Sequence, residues 1–137
     1  MAVTSWLVDK SALVRLPLAT ERDVWESRIA RGLLRVSSIT LLEVGYSAVS
    51  AKAARDAPST PPMSLLPVEY LSPGIEARAL EVQIQLAERG MHRAASIPDL
   101  LVAATAEKLG LTVLAVDKDF TLIAEVTGQP IERLEFD

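Results

Sequence analysis

Residues 111–116 read LTVLAV, and Asp117, Lys118 and Asp119 follow at once. Six uncharged residues, rich in β-branched and aliphatic side chains, describe a strand buried on both faces. Such strands belong to parallel sheets, whose neighbours must be joined by crossovers that are usually helical. The chain on either side supplies them. Residues 98–109 carry a helix that opens on Pro98 and is closed by Gly110. Ser72-Pro73 starts an earlier helix that Gly90 stops, and Val68 to Leu71 is a short strand before it. The N-terminal half repeats the alternation. A buried strand over Thr4–Val8 ends at Asp9, and a short helical run from Ser11 to Leu16 stops at Pro17. Thr20 caps a helix that ends at Gly32, Leu33–Ser37 forms a second strand, and an apolar helix runs from Thr40 to Ala54. DAPSTPP, residues 56–62, holds too much proline for regular structure. Strands alternating with helices predict an α/β fold, a three-layer α/β/α sandwich around a mainly parallel sheet.

The bulk numbers agree with one domain over residues 1–137, half apolar and 23% charged. No apolar run reaches the roughly 18 residues of a membrane span. The N-terminus, MAVTSWLVDKSA, lacks the basic start and longer apolar stretch of a signal peptide. Cysteine is absent, which excludes disulfides and thiolate metal sites. A cytoplasmic location is the expectation. The formal charge of −4 argues, at first sight, against a nucleic-acid partner.

The placement of the acids changes that view. Asp9 and Asp117 stand at the carboxyl ends of strands, where the ligand crevice of an open parallel sheet lies. Glu43 is the only charge between Arg35 and Lys52, and Asp99 is the only one between Arg93 and Glu107. Each acid alone has a plain structural reading: Asp9 as a helix cap, Asp99 in a first turn favoured by the helix dipole, Asp117 and Asp119 as turn formers. Glu43 has none, because a mid-helix carboxylate caps nothing. Taken together, the acids face one crevice, where they would repel one another and hold their pKa values high unless a cation sat among them. Oxygen donors without His or Cys suit a hard ion, Mg²⁺ or Mn²⁺. Such an ion in an acidic crevice typically works on phosphates. Setting these five acids aside leaves 13 Asp and Glu against 14 Lys and Arg, so a polyanionic substrate is admissible.

These same residues carry a family resemblance. LVDKSAL at Asp9, TLLEVGYS at Glu43, IPDLLVAATA at Asp99 and AVDKDFTLIA from Asp117 resemble, in order and spacing, a PIN-domain protein of the VapC type, the ribonuclease toxins of bacterial toxin–antitoxin pairs. The resemblance implies that Asp9, Glu43, Asp99 and Asp117 are catalytic and hold Mg²⁺ or Mn²⁺, with Ser11 and Asp119 supporting them. It further implies endonucleolytic cleavage of RNA, inhibition of translation, a cognate VapB-type antitoxin and a homodimer. Two other readings compete. An aspartate-nucleophile phosphohydrolase would use Asp9, although Ser11 stands where a second acid is expected and Lys118 is the only nearby lysine. A catalytically silent domain would bind RNA or protein only.

The remaining residues point less sharply. His92, the only histidine, reads as a solvated loop residue. Arg28, Arg31 and Arg35 read first as a solvated basic face and second as contacts to RNA phosphates. Trp6 and Trp25 read as core. The helix from Thr40 to Ala54 has more apolar surface than one face needs, and is either buried or lines a groove for an antitoxin helix.

Overall fold

A computed structural model describes residues 3–137, so the first two residues of the expected domain lie outside it. Five strands form the sheet: β1 (Trp6–Val8), β2 (Leu34–Ser37), β3 (Val68–Glu69), β4 (Thr112–Ala115) and β5 (Ile131–Arg133). They lie in the order β3-β2-β1-β4-β5, and every ladder is parallel. The helices are α1 (Lys10–Leu13), α2 (Arg22–Ala30), α3 (Ser38–Tyr46), α4 (Ala51–Asp56), α5 (Pro73–Glu88), α6 (Ile97–Leu109) and α7 (Asp119–Thr127). The three-layer α/β/α arrangement expected from the sequence is the one observed.

Alternation along the strands sorts the core into two layers. Leu7 of β1 with Val113 and Ala115 of β4 pack against α5, α6 and α7. Trp6 and Val8 with Leu114 face the opposite way, toward α1, α2 and β2's Leu34 and Val36. The period of two thus feeds both hydrophobic layers from one strand, which is why LTVLAV carries no polar face. The α6 helix has Val102, Ala103, Ala104 and Ala106 buried, and its small side chains let it lie close to the sheet.

Some boundaries differ from expectation, each for a local reason. Glu21, not Thr20, is the cap residue of α2, and no side chain closes that end. The expected helix from Thr40 to Ala54 is two helices. The α3 helix ends at Tyr46, and Ser50 caps α4 by accepting a bond from the Ala53 amide. Strand β5 was not expected: its three residues, IER, show neither an apolar run nor alternation. It pairs with β4 at the sheet edge, where side chains need not be apolar.

The topology selects one position on the sheet. From β1 the chain steps outward through β2 and β3, then crosses back to place β4 and β5 on β1's other side. The order reverses between β1 and β4, and beyond the carboxyl ends of strands at such a reversal a crevice opens. Asp9 and Asp117 follow those two strands.

Candidate metal centre at the carboxyl edge

A polar cleft of about 350 Å³ occupies that crevice. Asp9, Glu43, Asp99, Asp117 and Asp119 line it together with Lys10, Ser11, Arg15 and Ser96. All five acids singled out in the sequence therefore meet, brought from four separate parts of the chain.

Asp9 caps α1 and is buried at 5% exposure. Its Oδ2 accepts from the Ser11 amide at 3.1 Å and from Ser11 Oγ at 2.7 Å. Ser11 Oγ in turn accepts from the Val116 amide at 3.0 Å, and the Asp117 amide lies 3.5 Å away. The backbone adds a bond from the Asp9 amide to the Leu114 carbonyl at 2.8 Å. One hydroxyl thus ties the ends of β1 and β4, and with them both strand-end acids. Burial pushes the Asp9 carboxyl above the ordinary range, the Ser11 and Lys10 donors pull it back, and Asp117 pushes it up again.

Asp99 sits in the first turn of α6, whose cap Ser96 accepts from the Asp99 amide at 3.1 Å. Burial raises its pKa to about 6, with Asp9, Asp119 and Glu43 adding to the rise and Ser96 opposing it. Glu43 projects from the middle of α3, and its Oε1 is buried without a hydrogen-bond partner. Burial and Asp9 raise its pKa, while Lys10 lowers it. Asp117 and Asp119 are exposed at the mouth, Asp119 opening α7.

The donors suit a hard cation: carboxylates alone, mutually repelling, with one buried oxygen left unsatisfied. Among the described residues no three Asp, Glu or His side chains already converge closely enough to hold an ion directly. The fit is therefore to an ion that keeps much of its hydration shell and takes one or two direct carboxylates, as Mg²⁺ does. The orphaned Glu43 oxygen and the shared cleft are the features that fit such an ion.

Other expectations resolve as follows. Trp6 and Trp25 are buried and meet edge to face at 5.2 Å. Arg28 is half-buried, its guanidinium 4.7 Å and 4.4 Å from the centroids of those two rings. Arg35 is likewise engaged, with Glu69 at 2.8 Å. Arg31 and His92 are exposed. Lys118, which a phosphoaspartate mechanism would need inside, is exposed and does not line the cleft. The sequence reading missed Lys10, Arg15 and Ser96. Ser96 had a visible signal, a serine three residues before an acid at a helix start. Lys10 had only its place beside Asp9.

Comparison with known proteins agrees with this fold. The PIN domain family matches residues 6–126. Ribonuclease VapC2 of Mycobacterium tuberculosis is 60% identical over 129 residues, spanning 94% of this chain and 92% of that protein. Ribonuclease VapC21 of the same species is 40% identical over 131 residues, spanning 94% and 93%. In three dimensions the chain is similar to VapBC2 from Rickettsia felis bound to a promoter DNA fragment, with a TM-score of 0.76 over 96% of this chain and 100% of that one. At 16% identity that likeness speaks for the fold. Matched along nearly its whole length by sequence and by shape, the chain belongs to the PIN-domain family, in its VapC branch.

Proposed function

We propose that this protein is the toxin of a toxin–antitoxin pair, an endoribonuclease that uses Mg²⁺ or Mn²⁺ at the acidic cleft and halts translation by cutting RNA. The observation that carries the proposal is the meeting of Asp9, Glu43, Asp99 and Asp117 at the sheet's reversal point, with a buried Glu43 oxygen left unpaired. The relatives named above as ribonucleases, similar over almost the full chain, support the substrate class.

Asp9, Glu43, Asp99 and Asp117 would hold the ion, directly or through water. When bound, it would neutralise the phosphoryl oxygens, lower the pKa of an attacking water and stabilise the leaving oxygen. The chain supplies the frame. Ser11 fixes Asp9 and the backbone before Asp117, so the two strand-end acids cannot drift apart. Asp99 and Glu43, whose pKa values are raised by burial and by Asp9, give up protons as positive charge enters. Asp119 adds negative charge at the mouth.

The similarity to a toxin–antitoxin complex supports a VapB-type partner. Leu13, Val14, Val44, Ala53 and Met63 line an apolar groove of about 260 Å³ near the cleft, and a partner helix fits such a groove. Homodimerisation belongs to the same proposal.

Purified protein, free of antitoxin, is to be incubated with a mixed RNA pool in Mg²⁺, Mn²⁺ or EDTA beside Asp9→Asn and Asp99→Asn. Cleavage is expected only with metal and only in the wild type. Cleavage that persists in EDTA, or in both variants, would refute the proposal.

A further inference from the structure

Lys10 is one of the two cations that line the cleft, and its charge acts on Glu43 through space rather than in a direct pair. Arg15, the other, is anchored: its Nη1 donates to the Ser11 carbonyl at 2.8 Å and its guanidinium lies 5.4 Å from the Phe136 ring centroid. Lys10 stands in a cleft with five carboxylates, yet among the described residues it forms an ion pair with none of them. Its ammonium instead donates to Ser47 Oγ, at the C-terminal end of α3. Ser47 Oγ donates onward to the Glu43 carbonyl at 3.2 Å, so a neutral hydroxyl tethered to the helix end holds the lysine in place. Negative charge at a helix C-terminus favours a cation there.

This placement leaves the ammonium two further donors, and among the described residues no group in the cleft accepts from them directly. A lysine kept only to neutralise the acids would close on one of them, because a direct pair is worth more in a half-buried cleft than a bond to a hydroxyl. The cleft also needs such a charge. Its five carboxylates against two cations repel a polyanion, and a single divalent ion held by the acids would not by itself reverse that sign. A compact ammonium on a flexible stem binds phosphate as a point charge, with no demand on base identity.

We infer that Lys10 is a substrate-binding residue, contacting a backbone phosphate of the RNA that lies across the cleft. The inference rests on the nuclease reading above. It separates Lys10 from the acids beside it: the acids serve the cation, and Lys10 serves the polyanion.

The test compares wild type with Lys10→Met and Lys10→Arg on two labelled RNA oligonucleotides of unrelated sequence that the wild type cuts, with Mn²⁺ at several salt concentrations. Mn²⁺ affinity of each protein is measured in parallel by calorimetry. Lys10→Met is expected to raise KM about tenfold on both RNAs alike, to change kcat little, and to lower the salt slope of kcat/KM by about one. Lys10→Arg recovers most of the loss, and Mn²⁺ affinity stays within about twofold of wild type, which a merely structural or charge-balancing role would not allow. Unchanged KM and salt slope in Lys10→Met would overturn the inference while leaving the nuclease reading intact. So would a loss that tracks weakened Mn²⁺ binding. Failure of the wild type to cut any RNA with metal present would remove the nuclease reading, and the inference with it.

Discussion

Ser11 does more for the cleft than any residue except the acids themselves. Its hydroxyl donates to Asp9 Oδ2 and accepts from the Val116 amide, both where water is scarce. Replacing it with alanine leaves a buried carboxylate oxygen and a backbone N–H underbonded, which costs about 1–3 kcal/mol. Urea denaturation of Ser11→Ala should show that loss at unchanged m-value; a change below about 0.5 kcal/mol would mean the hydroxyl is dispensable. Asp99 makes the opposite kind of prediction. Its pKa rises from an ordinary 3.8 to about 6 in the folded protein. Between those values the folded state holds the proton that the unfolded state releases. The stability from this group is therefore complete at low pH and is lost as pH climbs through 6. In EDTA, Asp99→Asn should melt higher than wild type at pH 7.5, by on the order of 1 kcal/mol, and the gap should close at pH 4. A variant less stable than wild type at pH 7.5 would contradict this account. Both residues were visible in the sequence, Asp99 as a lone charge in an apolar run. Ser11 was visible only through family resemblance, because its bond from the Val116 amide joins positions 105 residues apart.

At the scale of elements, α6 shows how a local signal places a distant group. Ser96 and Pro98 fix where the helix starts, and that start fixes Asp99 in the cleft. Ser96→Ala should cost about 1 kcal/mol through the lost cap and, since Ser96 holds the Asp99 pKa down, should raise the apparent pKa of Asp99 followed by carboxyl NMR. An unmoved Asp99 resonance would show that the cap does not govern the acid. Elements with strong one-dimensional signals were legible: β4 from its uncharged run, α5 from Ser72-Pro73 and Gly90, α6 from Pro98 and Gly110. Those defined by tertiary context were not. Strand β5 exists because β4 offers it an edge, and the break between α3 and α4 falls in SAVS, where neither glycine nor proline marks it. The ring contacts of Arg28 were not legible for the same reason. Its stacking on Trp6 and Trp25 joins β1 to α2, a contact that spacing along the chain does not encode.

For the whole molecule, the sheet order explains how acids from four parts of the chain come to share one cleft. Reversal between β1 and β4 gathers the strand-end acids, while α3 and α6 add one acid each from the sides. Much of the net charge of −4 is thereby concentrated in one cleft, and the rest of the surface is nearly neutral. No helix among the described residues is long and apolar enough to cross a membrane. On the proposed function, Glu43 and its neighbours are tolerated together because a divalent cation is their common partner. Calorimetric titration of antitoxin-free protein with Mn²⁺, run at pH 6 in two buffers of different ionisation enthalpy, tests it most directly. The expected result is saturable binding accompanied by proton release, as Asp99 and its neighbours deprotonate, with binding weakened at least tenfold in Glu43→Gln and Asp99→Asn. Absence of saturable binding, or binding unchanged in both variants, would contradict the claim and leave the buried Glu43 oxygen unexplained.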